Sequence, residues 1–526
     1  MTASTSGPAT RDDRIVLAVD QGTGGPKVGL VSTRGDIRWW DHRPVATQRG
    51  DGGAATQDAG EWWRLVVEGT RAGLAESGID GAQVVAVAVT GQWASTIPVD
   101  AAGVPVGDCV MWMDARGRDH SRAVVAGPVS GYDPRALATW VRRSGGVPST
   151  NGDDPLGHLL FLERGLPDVA RRARWYLEPV DYLTMRFTGV AAATHMSMTG
   201  AWLTDNRDLD LLAYDPKLLR LAGVAAAKLP PLVRSGSVIG PVQPSVAAEL
   251  GISPDAQVVT GLPDLHGSVV GSGCVGPYET HLSIGTTGWI GCPLPEKKTD
   301  VIRQLAAIPG IGDLGGAPYV LGNNQETAGR CLQWFRDTIA VGSSYDEIVA
   351  LAATSPPGSN GVLFAPWLSG ERSPVDDRSA RAGFHNVGIG TTHADLARAV
   401  LEGVAFNARW LLGAAEHFTG RRLDPLRMVG GGAQSELWCR IVADVCDRTV
   451  EQVADPLLAG LRGAALAGGI AVGDVSRAEL RGLVPLAGTF VPDDANRAVY
   501  DRLFAEFPRL YTSQRRMFRR LNRPRA

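Results

Sequence analysis

Two short segments pair a small polar or acidic residue with a glycine-rich turn, a pattern suited to holding phosphate. The first is Asp20-Gln21-Gly22-Thr23-Gly24-Gly25 and the second is Ser283-Ile284-Gly285-Thr286-Thr287-Gly288. Such a turn presents backbone N–H groups and a hydroxyl to an anion, because glycine lets the backbone come close. Either turn alone is equally a plain tight hairpin. Two in matching contexts, about 260 positions apart, favour a nucleoside triphosphate held between them. Asp20 sharpens this. A carboxylate beside a phosphate turn repels the phosphate unless a cation lies between, which points to Mg²⁺. Lys27 either adds positive charge there or is an ordinary solvated lysine. Asp264 follows the apolar run Val258–Thr260, within Gly261-Leu262-Pro263-Asp264-Leu265-His266-Gly267. That is a place for a general base facing a cleft, or for a helix N-cap. Gly430-Gly431-Gly432-Ala433-Gln434-Ser435 lies between a strand and a helix. It admits a flat ligand to the helix N-terminus, or is a tight βα loop.

The elements that must position these residues follow from periodicity. Ile15–Asp20 reads as a buried strand, Val28–Ser32 as a second, and Ile37–Thr47 as a third. Trp62, Leu65, Val66, Thr70 and Leu74 share one face of a helix over Ala59–Ser77, and Val84–Thr90 is another buried strand. Hairpin strands first and a buried strand after a helix argue against a simple doubly wound sheet. Trp289–Cys292 continues the second turn as a strand, and Leu437–Val445 reads as a helix. The repeated unit predicts two homologous α/β domains that meet near Gly271–Pro277. Gly271-Ser272-Gly273-Cys274-Val275-Gly276 matches G-x-G-x-x-G, but Pro277 and a strand-like pattern follow, so no dinucleotide fingerprint is expected. Nothing matches the G-x-x-x-x-G-K-[ST] loop, and no protein-kinase catalytic loop or D-F-G occurs.

Composition narrows the class. Of 526 residues 44% are apolar and 20% charged, which suffices for large cores and excludes global disorder. Lys+Arg 52 against Asp+Glu 55 leaves a net charge of −3. A dedicated nucleic-acid binder needs a basic surplus, so none is expected as partner. The six cysteines have neither zinc nor disulfide spacing. No apolar run is long enough to span a membrane, and Met1–Arg14 has no apolar signal core. A cytoplasmic enzyme acting on small molecules is expected. Arg515, Arg516, Arg519, Arg520, Arg523 and Arg525 read as the basic C-terminal end of a last helix.

Taken together, the ordered blocks resemble the FGGY carbohydrate kinases, most nearly their xylulokinase branch, from about Arg14 to Leu510. The similar segments are Asp20–Thr23, Thr90-Gly91-Gln92-Trp93, Trp112-Met113-Asp114-Ala115-Arg116, Gly261–Asp264 and Ser283–Gly288. Further along they are Ala328–Trp334, Pro366-Trp367-Leu368-Ser369-Gly370-Glu371-Arg372-Ser373-Pro374, Gly383–Gly403 and Gly430–Trp438. The resemblance implies an α/β fold of two actin-like (ribonuclease H-like) ATPase domains with an interdomain cleft. It implies a leader at 1–13, a sugar-binding domain at 14–272 and a nucleotide-binding domain at 273–526. The implied activity is ATP-dependent phosphorylation of a sugar hydroxyl, with D-xylulose or another ketopentose as substrate. Ribulose or a polyol such as glycerol or erythritol, and a non-catalytic actin-like ATP-binding role, are the alternatives. By resemblance Asp264 is the general base and Asp20 holds Mg²⁺, with Asp264 beside the metal. Gly22, Thr23, Gly285, Thr286 and Thr287 face the phosphates. Gly329, Gln333, Gly431, Gly432 and Ser435 lie at the adenosine, and Gln92 and Trp93 at the sugar. Glu371 and Arg372 form a structural ion pair or hinge. The departures are Trp93-Ala94 for the branch's Met-His pair, Leu265 for an asparagine, and His158 for a lysine. Oligomeric state is not readable, and a homodimer is left open.

Overall fold

The computed structural model describes residues 14–129 and 131–522. The expected leader (1–13) and Arg523 and Arg525 lie outside the described residues. β1 (Ile15–Gly22) turns through Thr23-Gly24 into the antiparallel β2 (Gly25–Ser32), which pairs antiparallel with β3 (Ile37–His42). The sequence predicts β3 to run on to Thr47. It stops at His42, opposite Lys27, and the chain beyond it follows the turn, with the Arg43 N–H donating to Pro26 O and the Val45 N–H to Gly24 O, both at 2.9 Å. α1 (Ala59–Ser77) begins where Asp58 accepts the Gly60 N–H and ends at Gly78, whose φ is 70°. β4 (Val84–Gly91) then returns parallel to β1. After α2 (Pro179–Thr188), β5 (Val238–Pro241), β6 (Gln257–Val259) and β7 (Leu262–Pro263) complete the sheet. Its order is β5-β6-β4-β1-β2-β3, with β7 also on β4.

The pattern returns in the second half. α3 (Asp264–Gly271) leads to β8 (Thr280–Ile284), which pairs antiparallel with β9 (Gly288–Gly291). α4 (Gly329–Thr338) and α5 (His393–Thr419) precede β10 (Leu426–Val429), parallel to β8. α6 (Glu436–Cys446), β11 (Val450–Val453), α7 (Ala459–Ala471), β12 (Leu486–Phe490) and α8 (Asp494–Leu521) follow. The order β9-β8-β10-β11-β12 repeats that of the first sheet: a hairpin, then two parallel strands, then an antiparallel edge. The matching turns Thr23-Gly24 and Gly285-Thr286-Thr287 thus occupy equivalent corners of two sheets.

Alternation along β1 and β4 explains how the first sheet is covered. Ile15, Leu17 and Val19, with Val87 and Val89, join Trp62 and Val66 of α1 in one core. The intervening Val16 and Ala18, with Ala86 and Ala88, pack on Leu461, Ala464 and Ala465 of α7. Small residues on that face let a helix from the second half of the chain lie close to the first-half sheet. α7 crosses α3 at glycines: a Cβ on Gly463 would lie 1.9 Å from Gly267 O, and one on Gly271 1.7 Å from Ala459 O. Only glycine permits this separation. The rejected G-x-G-x-x-G is the C-terminal end of α3 followed by a strand, as expected. Arg519 and Arg520 occupy the last turn of α8, all six cysteines are free and buried, and no helix among the described residues is long and apolar enough to cross a membrane.

Candidate active site

The α7-facing row of β1 runs Val16, Ala18, Asp20, and β4 sets Thr90 directly beside Asp20. Asp20 is therefore aimed between the halves, at the N-terminal end of α7, where a Cβ on Gly460 would lie 3.0 Å from Asp20 Oδ2. Helix N-termini favour negative charge. Across the hairpin Lys27 pairs with Asp20 in register, and its Nζ donates to Asp20 Oδ2 at 2.8 Å. Lys27 is thus the counter-ion of Asp20. Asp264 is the first residue of α3, held on Thr90 through Gly267 and on α7 through Gly271. The helix N-cap is Pro263, so the capping alternative for Asp264 does not apply; its Oδ1 accepts its neighbour Leu265 N–H at 2.7 Å. Burial pushes its pKa up to about 7, the charge of Asp20 adds to the rise, and Lys27 opposes it. A carboxyl poised near neutral pH suits proton transfer. Thr90 Oγ1, Gln21 Oε1 and Gln92 Nε2 are buried with no hydrogen-bond partner. Thr90 pairs with Asp20 across the strands, and orphaned polar atoms at this end of β1 and β4 mark a place that a polar ligand completes.

Gln92 and Trp93 continue from β4. Gln92 N–H donates to Gln21 O at 2.7 Å, and its Oε1 accepts from Thr23 Oγ1 at 3.3 Å. Trp112 Nε1 donates to the same Thr23 hydroxyl at 3.0 Å, and Gln57 Nε2 to Thr23 O at 2.8 Å. Thr23 therefore faces Gln92 and Trp112, while Gly22 and the exposed Gly24 carry the turn. Asp114 is buried. It accepts the Ala55 N–H at 2.8 Å and is paired by Arg116, whose guanidinium lies 4.5 Å from the Phe161 ring centre. The Trp112–Arg116 segment is thus a clamp that sets Trp112 against Thr23. His158, at the departure from lysine, is fully buried with Nε2 on Asp114 O at 3.2 Å, and burial lowers its pKa to about 4. It supports this clamp. His266 donates from Nε2 to Pro309 O at 2.7 Å and stands edge-on to Trp93.

On the opposite side four glycines converge. Gly329 N–H donates to Gly285 O at 2.7 Å, and Ala328 N–H to Thr286 O at 3.1 Å. A Cβ on Gly430 would lie 2.7 Å from Ile284 O, and one on Gly432 2.5 Å from the Ile284 side chain. The second hairpin turn, the α4 N-terminus and the Gly430–Gly432 loop thus share one point. Thr286, Gly431 and Gln333 are exposed, and Gly285 and Thr287 half-buried. Ser435 caps α6, accepting the Trp438 N–H at 3.2 Å. The structure corrects one pairing. Glu371 and Arg372 are not an ion pair: Arg372 Nε pairs with Glu326 at 2.9 Å, while buried Glu371 accepts from Asn407 Nδ2 at 2.6 Å. Glu371 is left without a cation, and burial pushes its pKa up to about 8. Among the described residues no group of three or more His, Cys, Asp or Glu side chains is placed to hold a metal by protein ligands alone. A separate cavity of about 500 Å³, with Tyr278, Arg421, Arg427 and Arg481 in its wall, lies at the far ends of β8 and β10. It contains none of the residues above.

Residues 15–271 match the N-terminal domain, and residues 281–472 the C-terminal domain, of the FGGY family of carbohydrate kinases. The chain is 25% identical over 513 residues to a xylulose kinase of Staphylococcus epidermidis, covering 96% of this chain and 97% of the relative. It is 29% identical over 471 residues to a glycerol kinase of Dechloromonas aromatica, covering 88% and 90%. The solved structure of a ligand-bound xylulose kinase from Lactobacillus acidophilus superposes with a TM-score of 0.85 at 20% identity, over 97% of this chain and 100% of that one.

Proposed function

The chain belongs to the FGGY family of carbohydrate kinases, and from that premise we propose that it transfers the γ-phosphate of ATP to a hydroxyl of a ketopentose, D-xylulose or a close relative. It is a sugar kinase, and the non-catalytic alternative is set aside. The observation that carries the mechanistic reading is Asp264. A half-buried carboxyl at the start of α3, with pKa about 7 and Asp20 as its charged neighbour, stands where two turn-bearing sheets meet.

In this reading residues 14–272 carry the sugar and 273–526 the nucleotide. The substrate hydroxyl rests against Gln92 and Trp93, whose neighbours Thr23 and Trp112 fix the wall. Asp264 takes the hydroxyl proton as that oxygen bonds to the γ-phosphorus and the bond to the ADP oxygen breaks. The proton leaves late in such transfers, so positioning contributes more than base strength. Gly22 and the Gly285–Thr287 turn offer amides and hydroxyls to the phosphates. Gly329, Gln333, Gly431, Gly432 and Ser435 border the adenosine, where the converging glycines let the second hairpin turn, the α4 N-terminus and the Gly430–Gly432 loop pack closely. Mg²⁺ fits the donor set. Lys27 engages only Oδ2 of Asp20, and this ion commonly takes one or two carboxylates together with substrate phosphates. Asp20, with Asp264 nearby, would hold it, and it supplies charge neutralisation at the phosphate oxygens.

Two relatives point to different acceptors, xylulose and glycerol, so ribulose or a polyol is the second reading. Ala94 and Leu265 stand where the xylulokinase branch has a histidine and an asparagine, and each lost hydrogen bond costs about 1–3 kcal/mol of discrimination unless replaced. The test is to incubate the enzyme with MgATP and a panel of ketopentoses, hexuloses and polyols, and to identify products by mass spectrometry. A ketopentose phosphate as the dominant product supports the first reading. A glycerol or erythritol phosphate overturns it.

A further inference from the structure

Glu178 is buried, 3% exposed, although it precedes the first turn of α2 at the position where a side chain would normally cap the helix. It makes no cap bond. Its carboxyl turns instead to the backbone of the Trp93-Ala94-Ser95 segment: Oε2 accepts the Ser95 N–H at 3.2 Å, and the Ala94 N–H also faces the carboxyl. Ala94 has φ 63°, a left-handed conformation that alanine adopts only when its surroundings impose it. Two neighbouring N–H groups turned towards one carboxyl group are such a constraint.

The other end of the segment rests on the same turn of α2. Trp93 Nε1 donates to Ser197 O at 3.0 Å, and the Ser197 side chain lies beside Asp181, in the first turn of α2. Ser95 Oγ in turn accepts the Trp112 N–H at 3.0 Å, which links the segment to the Thr23 network. Glu178 Oε1 and Asp181 Oδ2 are buried without partners. Desolvation and mutual repulsion push the carboxyl of Glu178 well above its usual range, and desolvation does the same for Asp181. Two acids at this depth destabilise the fold relative to apolar residues of similar size. Packing therefore does not account for Glu178, whereas its hold on two amides does.

We propose that Glu178 is a positioning residue for sugar specificity: it holds the Ala94–Ser95 turn, and through it sets where the Trp93 ring meets an uncharged polyhydroxy substrate. This rests on the reading above that Gln92 and Trp93 face the sugar. Glu178→Gln keeps an oxygen for both N–H groups, Glu178→Ala removes it, and Ala94→Gly lets the turn form unaided.

The test measures sugar and ATP KM separately, together with amide hydrogen exchange at Ser95. Glu178→Ala is expected to raise sugar KM about tenfold or more with ATP KM within about twofold, Glu178→Gln to stay near wild type, and Ala94→Gly to restore part of the loss in Glu178→Ala. Ser95 exchange should speed up in Glu178→Ala alone. The proposal is overturned if Glu178→Ala leaves sugar KM unchanged, raises both KM values equally, or leaves Ser95 exchange as in wild type. If wild-type enzyme phosphorylates no sugar, the kinase reading fails instead, and Ser95 exchange still decides whether Glu178 holds the turn.

Discussion

Asp264 should make the protein less stable as pH rises, and replacing it should reveal by how much. Its carboxyl has an ordinary value of 3.8 and is pushed up to about 7 in the fold, first by burial and then by the charge of Asp20. The unfolded chain ionises this group above the ordinary value, but the folded chain keeps the proton to near neutrality. Between these limits the unfolded state loses its proton first, so stability falls as pH rises and levels off above about 7. At about 1.4 kcal/mol per unit, the full effect is about 4 kcal/mol, of which about 2–3 kcal/mol develops between pH 5 and pH 8. Asp264→Asn does not titrate. The variant should therefore gain stability relative to wild type, by about 2–3 kcal/mol more at pH 8 than at pH 5, while phosphoryl transfer drops about a hundredfold or more. Urea unfolding followed by fluorescence of the 14 tryptophans measures the difference at each pH. A stability gap that is the same at both values would refute the claim that the fold raises the pKa of this carboxyl.

Three further outcomes follow from the same geometry. Gly463→Ala drives a Cβ to within 1.9 Å of Gly267 O; it should cost about 1–3 kcal/mol in thermal unfolding and lower kcat, because α3 carries Asp264. Lys27→Met removes the charge that opposes the rise in the Asp264 pKa, so the acid limb of the kcat/KM profile should move to higher pH; an unmoved limb contradicts the coupling. EDTA should abolish phosphorylation and Mg²⁺ restore it, whereas turnover without metal would remove the role given to Asp20.

Local patterns were legible where one residue type alone satisfies the geometry. The hairpin at Gly22–Gly25 and the helix over Ala59–Ser77 follow from glycine and from 3.6-residue periodicity, and both stand where the sequence puts them. Asp264 was ambiguous until its block was matched to a family, since an aspartate before a helix most often caps it. The Glu371–Arg372 pairing failed because neighbours in an irregular segment face different ways, and each found a partner far along the chain, Asn407 and Glu326. Lys27, Thr90 and Glu178 acquire meaning only through pairing and burial. The α3–α7 crossing did leave a signal, small residues four apart at Gly267 and Gly271 and at Ala459, Gly463 and Ala467. Composition, with its high glycine content, does not say which glycines cross.

The central claim is that Asp264 takes the proton when phosphate passes from ATP to a sugar hydroxyl. The most direct measurement follows the terminal ³²P of labelled ATP into a ketopentose, with wild-type enzyme and Asp264→Asn at pH 8. Label is expected in the sugar phosphate with wild type and almost none with the variant, at undiminished stability. Label transferred equally by both proteins, or released only as inorganic phosphate by wild type, would contradict it.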